Sequence, residues 1–145
     1  MSDDRHKVTA AVHLLLEKDG KLLLLRRFNT GYEDGNYSMV AGHIDSNEGA
    51  HCAMIREAKE EAGIIIVKEH LETIHVMHRR NDDKEQIDFF LRAKNWTGEP
   101  SNTEPHRCDH LDWFDQQDLP KNMIPYIIFA LERIQNNHYY SEFGW

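Results

Sequence analysis

The stretch from residue 42 to residue 64 constrains this chain more than any other. Ser46 and Asn47 are good N-cap types, helix-compatible residues run from 49 to 62, and Gly63 suits the position just past a helix end. The spacing therefore predicts a helix over 49–62. On it, Glu57, Glu60 and Glu61 stand as i, i+3 and i+4, within roughly 100° of one face at ~3.6 residues per turn. Like charges at these spacings repel by about a few tenths of a kcal/mol per pair. Glu60 and Glu61 also lie in the last turn, where the helix dipole disfavours negative charge. Local physics opposes this cluster unless a cation sits on it. Mg²⁺ would suit, because it takes hard oxygen ligands, needs few carboxylates and completes its shell with water and phosphate. A solvated acidic face is the alternative, and these three residues alone do not exclude it.

Charge points the same way. The chain has 145 residues, enough for one domain with a single core, and a formal charge of −8. An acidic protein is a poor general binder of nucleic-acid polymers. If its substrate carries phosphates, a cation must stand between them and the acidic site. No apolar run approaches a membrane span, and residues 1–7 are polar without a hydrophobic signal core, so a cytoplasmic protein with no membrane partner is expected. Cys52 and Cys108 form no C-x-x-C pair, which argues against a thiolate zinc site; both are expected to pack as small reduced side chains.

The rest of the chain reads as strands flanked by a second helix. Apolar runs at 8–17 and 22–25 are separated by Asp19-Gly20, a hairpin signal. Residues 28–36 read as loop, 37–40 as a short strand, 64–67 as a β-branched strand, and 74–78 and 87–93 as strands joined by a polar turn. Residues 96–110 read as a long loop, 111–114 as a short strand, and 122–136 as an amphipathic helix with Pro125 in its first turn. The expected class is α/β (α+β), a mixed sheet between helices. A flexible segment 1–7, a domain 8–137 and an aromatic tail 138–145 complete the division. That tail could fold back, cover a pocket or pack in a dimer.

Around the acidic helix, Gly42 is followed by five residues and then Glu48; seven residues later comes Arg56-Glu57-Ala58-Lys59-Glu60-Glu61-Ala62-Gly63-Ile64. This resembles the Nudix box, G-x5-E-x7-R-E-U-x-E-E-x-G-U with U aliphatic. Every fixed position matches, with Ala58 smaller than the usual aliphatic. The resemblance implies an α/β/α sandwich with a mixed central sheet and a MutT-like hydrolase. It implies Mg²⁺, with Mn²⁺ as a substitute, held by Glu57, Glu60, Glu61 and the carbonyl of Ala41. Arg56 would pair with Glu48 and hold the carboxylates in place. Gly42 would permit close backbone approach, and Gly63 would end the helix. The general base varies within the family: a loop resembling 98–104 selects Glu104, and Glu60 is its rival.

The same resemblance places substrate recognition near residues 37–43. Tyr37 and Ser38 are the candidates there, and Ser38 aligns with a base-reading Asn of some oxidised-purine hydrolases; a serine cannot make that bidentate contact. Arg26 and Arg27, with His78, Arg79 and Arg80, are candidate phosphate contacts; each could equally be a surface charge. The ten histidines show no metal spacing and are expected at the surface or a sheet edge. The expected activity is Mg²⁺-dependent hydrolysis of a pyrophosphate bond in a nucleoside triphosphate or other nucleoside diphosphate derivative, with damaged or non-canonical nucleotides as candidates, by a monomer or homodimer. The alternative is a catalytically idle domain that binds nucleotide or protein.

Overall fold

A computed structural model describes residues 4–145; of the segment 1–7, residues 1–3 lie outside the described residues. Strand β1 (Thr9–Leu15) runs into the two-residue β2 (Glu17–Lys18), turns at Asp19-Gly20 and returns as β3 (Lys21–Arg27). Both turn residues have positive φ, as a two-residue hairpin loop requires. There follow β4 (Tyr37–Ser38), β5 (Ala41–His43), α1 (Ala50–Ala62), β6 (Leu71–Asn81), β7 (Lys84–Ala93), β8 (Cys108–Asp115), α2 (Pro125–Gln135) and β9 (Tyr140–Phe143). The central sheet has the order β5-β1-β7-β6-β9 and is mixed: β1 pairs with β7, and β6 with β9, in parallel, while the other pairs are antiparallel. A smaller antiparallel sheet is built on β3, which pairs with β2, β4 and β8.

Two cores follow from strand alternation. Val12, Leu14 and Leu91 join Leu23 and Leu25 beneath Ala53, Met54, Ala58 and Ala62 of α1. Their neighbours Leu15, Phe90, Leu22 and Leu24 turn the other way and pack with Tyr126, Ile127 and Ala130 of α2. The helices thus cover different apolar faces. The face of β1 that carries Thr9, Ala11 and His13 opens partly into a cavity.

Several local expectations change. Helix α1 is capped by Gly49, with no side-chain cap from Ser46 or Asn47. Residues 64–67 form no strand; only Ile65 bridges, to Thr97, because Ile64 and Ile66 are already buried against α1 and no neighbouring strand runs alongside. Of the short strand expected at 37–40 only Tyr37–Ser38 is strand, as β4; Met39 and Val40 are buried but belong to no strand, and β5 begins at Ala41. Strands β6 and β7 extend far beyond the apolar runs, and their turn shrinks to Asp82-Asp83. Strand β8 begins at Cys108, shortening the expected loop. Helix α2 starts only at Pro125, since Asn122 to Ile124 run extended beside Tyr37 and exchange backbone hydrogen bonds with it.

The aromatic C-terminus folds back on its own domain as β9. Its lock is His75, whose Nδ1–H donates to the His138 carbonyl (2.8 Å) while Nε2 accepts from the Ser141 hydroxyl (2.8 Å). Trp145 Nε1 donates to the His78 carbonyl (3.0 Å), and Arg80 lies over the indole. His13 and His75 are therefore buried, not surface histidines. Cys108 is buried as expected, but Cys52 is exposed on α1.

Candidate active site

The acidic face of α1 meets β5 through one close approach. A Cβ placed on Gly42 would fall on the Glu57 carboxyl group. Only glycine leaves room for that carboxylate beside the strand. Because Glu57 has a flexible side chain, Gly42→Ala is expected to displace the carboxylate and not the backbone. Turnover should fall at least about tenfold while the melting temperature changes little; an unchanged kcat would show that the position of Glu57 is immaterial. At the other end, Gly63 takes a left-handed φ of 68°, and its N–H donates to the carbonyl of Lys59 (3.1 Å), closing the helix.

Arg56 organises the cluster. Its Nε and one terminal nitrogen form a two-pronged pair with Glu48, both at 2.9 Å. The same terminal nitrogen donates to the His43 carbonyl (3.0 Å), and the other donates to Glu57 (2.7 Å) and, more weakly, to Glu60 (3.4 Å). Glu48 also accepts from the Asp45 N–H (3.0 Å), which ties the loop ahead of α1 to the helix. Hydrogen bonding from Arg56, then from Asp45, pulls the Glu48 carboxyl down to about 2. Glu61 accepts from the Ala41 N–H at 2.8 Å, joining α1 to β5. Burial, then repulsion from Glu57 and Glu104, pushes the Glu61 carboxyl up to about 8 despite that hydrogen bond. Burial also raises Glu57, against the pull of Arg56 and with further help from Glu60 and Glu104.

This donor set fits a hard divalent cation. Two carboxyl groups are set deep beside a cavity, and each resists ionisation there. Among the described residues no three His, Cys, Asp or Glu side chains are already gathered into a closed ligand cage, because Glu57 turns to Arg56 and Glu61 to Ala41. Mg²⁺ rarely uses such a cage, since it binds through one or two carboxylates plus water and phosphate.

The cavity holds about 730 Å³ and runs from Glu57, Glu60 and Glu61 past Glu104 and Arg107 to Arg27, Arg79 and Tyr126. Glu104 reaches it from the loop before β8. That loop is pinned by Thr103, which donates to the Glu60 carbonyl, and by the Ser101 N–H, which donates to Ala62 (3.0 Å). Of the substrate-contact candidates, Arg27 lines the cavity, with Arg79 also present. Tyr37, Ser38 and Arg26 do not line it. Tyr37 and Ser38 are buried on β4, with the Tyr37 hydroxyl bonded to His110 (2.6 Å). Arg26 follows Leu25 on β3, so alternation turns it away from the face of Leu25 and Arg27, toward Asp109 (2.7 Å). Arg79 is tied by its Nε to Asp88 (2.8 Å) and stacks over Tyr126, 3.7 Å from the ring centre. Sequence reasoning missed His13, Gln86 and Tyr126 in the cavity wall. A signal existed: His13 is the one polar residue between Ala10 and Leu16, and Asp88 the one charge between Ile87 and Leu91.

A family model described as the NUDIX domain matches residues 5–130. The crystal structure of a MutT NUDIX hydrolase from Burkholderia pseudomallei superposes with a TM-score of 0.80 at 26% identity, covering 88% of this chain and 98% of that one. An ADP-ribose pyrophosphatase of Methanocaldococcus jannaschii is 38% identical over 55 residues, 38% of this chain and 32% of that protein. A CTP pyrophosphohydrolase of Escherichia coli is 33% identical over 58 residues, 40% of this chain and 43% of that protein. These matches span less than half the length of either curated relative.

Proposed function

The chain belongs to the Nudix family of hydrolases, and on that premise we propose that it cleaves a pyrophosphate bond in a nucleoside triphosphate or another nucleoside diphosphate derivative, using Mg²⁺ with Mn²⁺ as a substitute. The observation that carries this reading is the meeting of Glu57, Glu60, Glu61 and Glu104 with Arg27 and Arg107 around one cavity. The two similar pyrophosphohydrolases act on different nucleotides by name, ADP-ribose and CTP, so they support the bond class and not a particular base.

Glu57, Glu60 and Glu61 would hold the ion, with the Ala41 carbonyl as a further oxygen. When bound, the metal offsets phosphate charge and lowers the pKa of a coordinated water. Arg56 is a positioning residue, because it aligns Glu57 and Glu60 through its pairing with Glu48. Arg27 and Arg107 would contact phosphate oxygens. Glu104 would accept the proton of the attacking water. Its loop is fastened to the end of α1, which keeps this carboxylate beside Glu57 and Glu61. Glu104→Gln is accordingly expected to lower kcat by roughly 10²-fold or more with metal affinity kept. An unaffected rate transfers the role to Glu60.

The reading is tested by incubating the protein with nucleoside triphosphates, oxidised deoxynucleotides, ADP-ribose, NADH, dinucleoside polyphosphates and nucleotide sugars, with Mg²⁺ and with EDTA, and identifying products. Metal-dependent release of a nucleoside monophosphate or diphosphate supports it. Nucleotide binding without turnover under any metal contradicts it and favours an idle binding domain.

A further inference from the structure

Beyond the carboxylates, the cavity reaches the side chain of His13, which is 2% exposed yet lines its wall. The ring is held from three sides. It stacks on Phe90 with centres 4.7 Å apart, and Tyr126 meets it edge-on at 5.8 Å. Its Nε2 lies 2.9 Å from Asp88 Oδ1. The Asp88 carboxylate also accepts from Gln86 Nε2 (2.6 Å) and Arg79 Nε (2.8 Å), and Arg79 already supplies its countercharge. An ionised carboxylate can only accept, so His13 must carry its proton on Nε2. In the neutral ring Nδ1 is then an acceptor. Among the described residues it is the one buried side-chain nitrogen or oxygen without a hydrogen-bond partner. A buried acceptor without a partner is costly, and native proteins seldom keep one without a use. Its place in the sheet gives a use: His13 pairs across β1 and β5 with Ala41, one strand from the acidic helix, so it sits within the same cavity as the proposed phosphate site.

We propose that His13 is a specificity-determining residue, whose Nδ1 accepts a hydrogen bond from an N–H or O–H of the nucleoside part of the substrate. This rests on reading the cavity as a nucleotide site. The donor would be either an amino group of the base or a sugar hydroxyl. The Asp88 network fixes the tautomer, and Phe90 and Tyr126 fix the plane of the ring, so the acceptor is preorganised and discriminates against substrates that leave it unmet.

The test compares kcat/KM for pairs that differ by one donor: CTP against pyrimidin-2-one riboside triphosphate and ATP against purine riboside triphosphate for the amino group, and CTP against dCTP for the hydroxyl. Dissociation constants of the matching α,β-methylene analogues are measured alongside. The wild type should favour the donor-bearing member of the amino pairs or of the hydroxyl pair by about tenfold to a hundredfold, and the favoured pair identifies the source. His13→Gln places an amide nitrogen where Nε2 lies, so it can still donate to Asp88, but it removes Nδ1. It should bring the ratio to within about twofold of unity. Metal-dependent turnover with no donor preference in the wild type, a reversed preference, or a ratio unchanged in His13→Gln overturns the proposal and leaves the pyrophosphate reading intact. Donor-dependent analogue binding without turnover supports the role of His13 and contradicts that reading instead. The wild-type ratios decide the matter even if the variant fails to fold.

Discussion

Glu61→Gln is expected to lower kcat by at least about 10²-fold and yet leave the metal-free protein no less stable than the wild type at pH 8. On the proposed reading Glu61 helps hold the cation that offsets charge developing on phosphate, and losing such electrostatic stabilisation typically costs this much or more. The stability follows from linkage. The Glu61 carboxyl is raised from 4.5 to about 8 in the folded state, chiefly by burial. Between those values the folded chain keeps a proton that the unfolded chain has released, so stability falls as pH rises through that window. Glutamine removes the titrating group and can still accept from the Ala41 N–H. Thermal melts across pH 5 to 9 should therefore show a steeper decline for the wild type. Added Mg²⁺ should raise the wild-type melting temperature and leave that of the variant nearly unchanged. Near-wild-type turnover in Glu61→Gln would sink the metal-site assignment; a variant that melts well below the wild type at pH 8 would sink the burial account.

The second large effect concerns folding. Asp88→Ala is expected to destabilise the protein by about 3–5 kcal/mol, the usual cost of removing one partner from a buried charged network. Asp88 is completely buried, and its loss leaves the Arg79 guanidinium, the His13 Nε2–H and the Gln86 amide without their acceptor. Burial opposes ionisation of this carboxyl, but hydrogen bonds from His13 and Arg79, with the charge of the Arg79 guanidinium, outweigh it and hold the group below its ordinary 3.8. A depressed carboxyl contributes its stability above that unfolded value and loses it on acidification. The difference between wild type and Asp88→Ala should thus be full near pH 7 and shrink below about pH 4. A loss under about 1 kcal/mol by urea titration would mean that the network is dispensable to the fold.

Local signals made much of this molecule legible. The Asp19-Gly20 hairpin, helix α1 with its closing Gly63, and an amphipathic helix ending near residue 135 all depend on short-range chemistry that the sequence displays. The three glutamates of α1 were legible as one face of a helix, and the structure sets all three on the wall of one cavity. What escaped depends on long-range partners. Residues 64–67 have strand composition but no adjacent strand to pair with, whereas the aromatic end of the chain has one, the edge of β6. Tyr37 and Ser38 lie near the motif in sequence, but pairing with β3 buries them away from the cavity. His13 and Asp88 are 75 residues apart and meet only because β1 and β7 run in parallel. In sequence each is a lone polar residue among apolar neighbours, and only the sheet order joins them.

The acidic face of α1 as a divalent-metal site is tested most directly by titrating Mn²⁺ into the protein and following free ion by electron paramagnetic resonance. The wild type should remove Mn²⁺ from solution with saturation at a small whole number of sites, competed by Mg²⁺. A Glu57→Gln/Glu61→Gln variant that melts no lower than the wild type should leave the ion free over the same range. Equal Mn²⁺ uptake by the two proteins would contradict the assignment.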